Sequence, residues 1–324
     1  MYRAFHGAWR ANRLKPLLIR KMNLRRKADH ISTPLSMQIP CLAASQIDCS
    51  LRTEHIKSVS DGLASAGVLK ISLGFPDNES RYLEQLLLGL NKDHGHGLPL
   101  THSASRGWFW DIRPNSANFQ TANYQARSET MEDFPWHTDC SYEDPPPRFF
   151  ALQVLQPDRY GGGVLSLMNV QRLSKQLSPS TQAALMRPEY KITTPPEFIK
   201  QSEEHHITRG LLVPDADGQP IMRFRGDIVT PLNRRGAEAL EDLGRIMKAA
   251  AEEPHITMHL TAADLPERTI VLVNNRRWLH ARSDVKDPER HLRRVRWDAA
   301  PFHTDTSIIH AMDDRVGSGV RRAY

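Results

Sequence analysis

From residue 107 onward the chain reads as a series of short apolar or alternating segments, cut by proline- and glycine-rich breaks. Few architectures accommodate such a pattern. Residues 107–113, 136–142, 148–156, 164–170, 221–225, 255–260, 270–275 and 291–298 are predicted strands, and Pro145-Pro146-Pro147 and Gly161-Gly162-Gly163 are among the breaks. Upstream, the spacing of Ile56, Val59 and Leu63 predicts a helix over 53–66, followed by a strand at 68–73. Asp77 or Asn78 can cap a second helix, whose apolar face is Tyr82, Leu83, Leu86, Leu87 and Leu90. One longer amphipathic helix, 233–252, interrupts the strands with Ala237, Leu240, Leu243, Ile246, Met247 and Ala250 inward. Many short strands with a few covering helices predict a mainly β fold with flanking α-helices, a double-sheet jelly roll of the cupin-like kind rather than a parallel α/β sheet.

Composition excludes several classes. The chain has 324 residues, 40% hydrophobic and 25% charged, and no apolar run approaches the roughly 20 residues that span a bilayer. A soluble protein without a membrane partner is expected. Cys41, Cys49 and Cys140 show no CxxC spacing, which argues against a disulfide framework or structural zinc and for a reducing compartment. Cys140 reads as a small buried filler. The net charge is +6, concentrated in the first 28 residues, which hold nine Lys or Arg and no acid, and in 276–296, which hold seven Arg. No zinc-finger, helix-turn-helix or basic-aromatic repeat accompanies that charge, so no nucleic-acid partner is expected. Residues 1–40 read as a basic tail, disordered or a targeting segment, before a single domain over 41–324. A cytoplasmic protein is expected, with the mitochondrial matrix as the alternative that an acid-free basic start allows. Oligomeric state leaves no mark in the sequence.

The segment Phe134-Pro-Trp-His137-Thr-Asp139 places His-x-Asp among strand-like residues, where positions i and i+2 share a face. A third ligand is available from His280, after the apolar strand 270–275. Two imidazoles and one carboxylate on one face of an iron leave three positions open, as non-haem iron(II) oxygenases require. The pair His303-Thr-Asp305 repeats the motif, but too little chain follows it to complete such a site. Downstream, Arg290, Leu292, Arg294 and Arg296 share one face of a predicted strand. An arginine ten residues past His280 can return beside the metal and hold a remote carboxylate through its planar fork. A solvated basic edge strand is the other reading of the same run.

These blocks together resemble the TauD/TfdA-like branch of the Fe(II)/2-oxoglutarate dioxygenases, over about residues 107–302. Trp136-His-Thr-Asp139 with Pro-Pro-Pro-Arg-Phe-Phe-Ala-Leu and Gly-Gly-Gly-Val-Leu-Ser is similar to the family's proximal block. Asn275-Arg-Arg-Trp-Leu-His280-Ala-Arg is similar to its distal block, and Arg290-x-x-x-Arg294 to its closing arginine pair. The resemblance implies a double-stranded β-helix (the clavaminate synthase-like fold). It also implies an enzyme that uses Fe(II), 2-oxoglutarate and O2 to oxidise, chiefly hydroxylate, a small molecule with release of succinate and CO2. His137, Asp139 and His280 would bind iron. Arg290 would bind the far carboxylate of 2-oxoglutarate, and Arg294 that carboxylate or an anionic group of the substrate. Where the family often has a threonine after the glycine run, this chain has Val164, which cannot donate; Ser166 is the expected substitute.

Loops 100–133 and 191–211 are expected to shape substrate choice. Asp133 can hold a substrate amine or simply end a turn. Trp108, Phe109 and Trp110 line a pocket or fill the core, and His205-His206 faces two ways in a strand, which disfavours a second metal. A metal-dependent jelly roll that does not use 2-oxoglutarate, and a non-catalytic basic binding module, are the competing readings.

Overall fold

The computed structural model describes residues 37–101, 107–114, 125–199 and 205–302. The basic start of the chain and His303-Thr-Asp305 lie outside these residues. The strands are β1 (Cys41–Ala44), β2 (Val68–Leu73), β3 (Trp110–Ile112), β4 (Phe134–His137), β5 (Pro147–Gln156), β6 (Leu165–Asn169), β7 (Tyr190–Thr193), β8 (His206–Arg209), β9 (Leu212–Pro214), β10 (Pro220–Met222), β11 (Val229–Pro231), β12 (Thr257–Leu260), β13 (Thr269–Asn274), β14 (Trp278–Arg282) and β15 (His291–Ala299). Among the described residues five α-helices accompany them: α1 (Thr53–Ser65), α2 (Arg81–His94), α3 (Val170–Ser174), α4 (Pro179–Met186) and α5 (Arg234–Ala250).

Two sheets face each other. The larger has the order β1-β2-β13-β5-β15-β3, and the smaller β12-β6-β14-β4. Phe150, Leu152, Val154, Leu165, Leu167, Val271, Val273 and Leu292 fill the space between them. Alternation sends the neighbouring side chains outward. On the outer face of the large sheet, Ala151, Leu272, Val295 and Trp297 pack under α1 and α2. On the outer face of the small sheet, Met168 and Leu279 pack with α3, α4 and α5. This is the jelly roll expected from the strand pattern.

Helices α2 and α5 start where side chains satisfy the first free amides. Asp77 accepts from the amides of Arg81 and Tyr82 at 2.9 and 3.0 Å, capping α2 from beyond its first turn. Asn233 accepts from Gly236 N at 2.8 Å at the start of α5. The inward face of α5 is rotated from the expected one: Gly236, Ala239, Leu243, Met247 and Ala250 are buried, and Ala237 is exposed.

Two local expectations need correction. His280 does not trail the strand ending at Asn274; it lies mid-way along its own strand, β14, directly opposite His137 of β4. Strand β4 ends at His137, so Asp139 sits in the following turn rather than on the strand. The turn forms because Thr138 N donates to Phe224 O at 2.7 Å and Asp139 N to Asn275 Oδ1 at 2.7 Å.

Candidate metal centre

His137 and His280 meet as a cross-strand pair on the inner face of the small sheet, their ring centroids 4.0 Å apart. Phe134 stacks on His137 at 3.7 Å, and Phe150 lies 4.5 Å from His280, so packing holds both rings. His137 Nδ1 donates to Pro135 O at 2.7 Å, which leaves Nε2 with its lone pair toward Asp139. One ligand atom from each of His137, Asp139 and His280 falls within 4.8 Å of the others, and all three residues are buried. The Asp139 turn is fixed by Asn275, whose Nδ2 donates to Asp139 O at 2.9 Å and to Pro147 O at 3.0 Å.

The charges suit a divalent ion. Burial, then the neighbouring His280, pushes the His137 imidazole well below its ordinary range, so it is neutral as a ligand must be. Burial alone would raise the Asp139 carboxyl, but Arg294, Arg296 and His280 outweigh it and hold it well below the usual carboxylate range. Asp139 Oδ2 and His280 Nδ1 are buried without hydrogen-bond partners. Two imidazole nitrogens and a carboxylate, with polar atoms left over, fit a first-row divalent metal such as iron.

Facing this set, β15 turns Leu292, Arg294 and Arg296 inward, paired with Val154, Leu152 and Phe150 of β5. Arg293 points outward to Asp111 at 2.8 Å. Arg294 Nη1 reaches Asp139 Oδ1 at 3.3 Å. Arg290 lies just before the strand, 5% exposed, and its guanidinium makes no hydrogen bond with any described residue. Burial and then Arg282 push it down to about 9, Asp158 opposing. Arg290, Arg294, His137 and His280 line one cavity with Phe150, Leu152 and Leu292. Gly163 makes room for Arg290: a Cβ there would meet Arg290 Nε at 2.7 Å, and its φ of +61° favours glycine.

Two expected site residues face elsewhere. Ser166 pairs with Ala281, not His280, and so points to the outer face of the small sheet. Its hydroxyl donates to His259 Nδ1 at 2.7 Å, since His259 Nε2 donates to Ala251 O. It cannot replace the missing threonine. Asp133 has an exposed side chain paired with Arg127 at 3.3 Å, and it lines none of the cavities next to the triad. Among the aromatics, Trp110 is core between the sheets.

Several contributors carry no motif-level signal. Asn275 fixes the Asp139 turn. Arg282 donates to Ser128 O at 2.9 Å, to Thr130 O at 3.0 Å and to Glu132 O, anchoring the segment that leads into β4. Arg296 stands beside Asp139 and Cys140, the latter lining a cavity rather than serving as filler. Only the inward parity of β15 could have singled out Arg296.

The family described as Taurine catabolism dioxygenase TauD, TfdA family matches residues 93–296. The chain belongs to the TauD/TfdA dioxygenase family. Among its relatives, the L-asparagine oxygenase of Streptomyces coelicolor (strain ATCC BAA-471 / A3(2) / M145) is 30% identical over 149 residues, 46% of this chain and 41% of that protein. The match thus spans about two fifths of that relative's length. Among solved structures, asparagine oxygenase with Fe(II), (2S,3S)-3-hydroxyasparagine and succinate superposes with a TM-score of 0.59, at 18% identity, covering 79% of this chain and 92% of that one. The non-haem iron oxygenase OrfP with Fe and alpha-ketoglutaric acid gives 0.60 at 16% identity, covering 81% and 95%. At these identities the likeness establishes the fold, a double-stranded β-helix with helices on its flanks. Among the described residues no helix is long and apolar enough to cross a membrane.

Proposed function

We propose that this chain is an Fe(II)- and 2-oxoglutarate-dependent dioxygenase that uses O2 to hydroxylate a small, acid-bearing molecule, with succinate and CO2 as co-products. The observation that carries the reading is one inward cavity where the two histidines of a buried two-histidine, one-carboxylate set meet the buried guanidinium of Arg290, which forms no ion pair with a described acid. His137, Asp139 and His280 hold the iron. Iron with its cosubstrates supplies the oxidising power. The rest falls to the chain's own side chains. Pro135 O selects the His137 tautomer, Phe134 and Phe150 hold the rings in place, and the apolar lining excludes water. Arg290 receives the far carboxylate of 2-oxoglutarate through its fork. Arg294 offers a second cation, to that carboxylate or to an acidic group of the substrate. The structural relatives support an amino-acid-like substrate, since they hold hydroxyasparagine and dihydroxy-L-Arg. In this reading residues 41–324 form one catalytic domain behind a basic tail, acting in the cytoplasm on a small molecule and not on nucleic acid.

A second reading, a metal enzyme that does not use 2-oxoglutarate, is favoured by one observation: Val164 follows the glycine run and Ser166 is turned away from the site. Anaerobic titration of the Fe(II)-loaded protein with 2-oxoglutarate separates the two. A saturable visible charge-transfer band is expected. Iron binding without such a band would sink the 2-oxoglutarate assignment in favour of the second reading. No iron binding would sink both.

A further inference from the structure

The two oxygens of Asp139 face different partners. Oδ1 lies 3.8 Å from His137 Nε2 and 3.7 Å from His280 Nε2, and it accepts from Arg294 Nη1 at 3.3 Å. Oδ2 accepts no hydrogen bond, and Arg296 Nε stands 3.8 Å from it. A cation shared by the three side chains draws on Oδ1, the oxygen that Arg294 already holds. A guanidinium and a divalent metal converging on one oxygen repel each other, the more strongly in a buried site. Arg296 meets no such conflict, because it approaches from the other oxygen.

We propose that Arg296 is a positioning residue that steadies Asp139 through Oδ2 while Oδ1 binds the metal, and that metal binding releases Arg294 into the cavity to receive an acid. The inference rests on the reading of His137, Asp139 and His280 as the metal site. The surroundings of the two arginines differ accordingly. Arg296 is 3% exposed, and its Nη1 donates to the Sγ of Cys140, the residue after Asp139, which the turn holds at a φ of 52°. It therefore faces the carboxylate as an ion-pair partner and bonds to the turn that carries it. Arg294 is equally buried, but its one hydrogen bond with a described residue is to Oδ1. It lines both cavities that adjoin His137, so the side chain loses one contact and gains a place for a ligand acid. An ordered assembly follows: the metal first, then the acid.

Mn(II) binding, read from the loss of the free-ion electron paramagnetic resonance signal, tests this without turnover. Wild type, Arg296→Met, Arg296→Lys and Arg294→Met are compared, each first checked for cooperative thermal unfolding. Arg296→Met is expected to weaken Mn(II) binding by roughly 10- to 100-fold, the range for lost groups that orient metal ligands. Arg296→Lys recovers part of that loss, and Arg294→Met binds Mn(II) at least as tightly as wild type. The Arg294 variant removes an equally buried cation from the same strand face, so general effects of folding or cavity charge are shared. Should Arg296→Met not fold, Arg296→Lys against Arg294→Lys carries the same comparison. Arg296 variants within about threefold of wild type, or an Arg294 variant that loses as much, would overturn the inference. If wild type itself takes up no Mn(II), the triad reading fails and takes this one with it.

Discussion

Replacing Arg290 by Met removes the guanidinium assigned to 2-oxoglutarate while keeping most of the side-chain volume. A carboxylate held by the fork makes two charge-assisted hydrogen bonds, each worth about 1.5–3 kcal/mol. Losing the equivalent of one to two of them weakens 2-oxoglutarate binding by at least tenfold, since about 1.4 kcal/mol is tenfold. The structure makes a second, opposite demand. Arg290 is 5% exposed and its guanidinium has no hydrogen-bond partner among the described residues, so the free protein carries a desolvated charge at a cost in stability. Arg290→Met without ligands should therefore unfold at the same temperature as wild type or higher, and gain little from added 2-oxoglutarate. Anaerobic charge-transfer titration gives the affinity, and thermal unfolding with and without 2-oxoglutarate gives the stability. Iron affinity should stay within about threefold of wild type. An unchanged 2-oxoglutarate midpoint refutes the assignment. So does a result in which Arg293→Met is the damaging change, because Arg293 points outward onto Asp111.

Three further outcomes follow from the same geometry. Gly163→Ala places a Cβ 2.7 Å from Arg290 Nε at a φ of +61°; it should cost about 1–2 kcal/mol in unfolding free energy and raise the 2-oxoglutarate midpoint, with iron binding unaffected. Asn275→Ala strips partners from Asp139 N, Asp139 O and Pro147 O; an unfolding titration should show a loss of roughly 2–4 kcal/mol, and a loss under about 1 kcal/mol would mean that water replaces the side chain. Burial would raise Asp111, but His291 and Arg293 outweigh it and hold it at about 2, below its ordinary value of 3.8. Its folded pKa being the lower, its stabilisation is complete above pH 4 and fades as pH falls toward 2. Unfolding temperatures of wild type and Asp111→Asn should thus differ at pH 5–7 and converge near pH 2.

The long strands and the three longer helices, α1, α2 and α5, were legible because burial on one face writes a period into the sequence, whereas the short α3 and α4 were not expected. The strand at 68–73 matches its prediction end to end, β5 and β15 differ by a residue at one end, and β13 is shifted by one residue. The short strands β7 to β9 and β11 carry three or four mixed residues each, too few to establish a period. Strand β14 escaped notice because the Asn274–Arg277 connection lacks Gly and Pro, and Trp-Leu-His-Ala-Arg is brief. That His137, Asp139 and His280 would come together was legible through residue type, although Asp139 reaches its place through a turn and not by sharing a strand face with His137. Ser166 was a parity error: with Leu165 and Leu167 inward, residue 166 has to face out. Asp133 was lost to Arg127, a pairing that exists only once residues 127–133 have curled back. The anchoring by Arg282 and Asn275 ends on backbone carbonyls and amides from distant segments, and no local pattern encodes those.

The small sheet and its adjoining turn supply the three proposed metal donors, whereas Arg290, Arg294 and Arg296 belong to the large sheet or the residue leading into it. In the proposed reading the centre is thus a seam between two leaves, with metal chemistry on one and anion choice on the other. Changes along β15 can retune which acid is accepted while leaving the imidazole pair as it is. Anything that lets the leaves part, such as a cavity cut at Leu152 or Leu167, would blunt recognition of the acid before it loosens the His137–His280 pair.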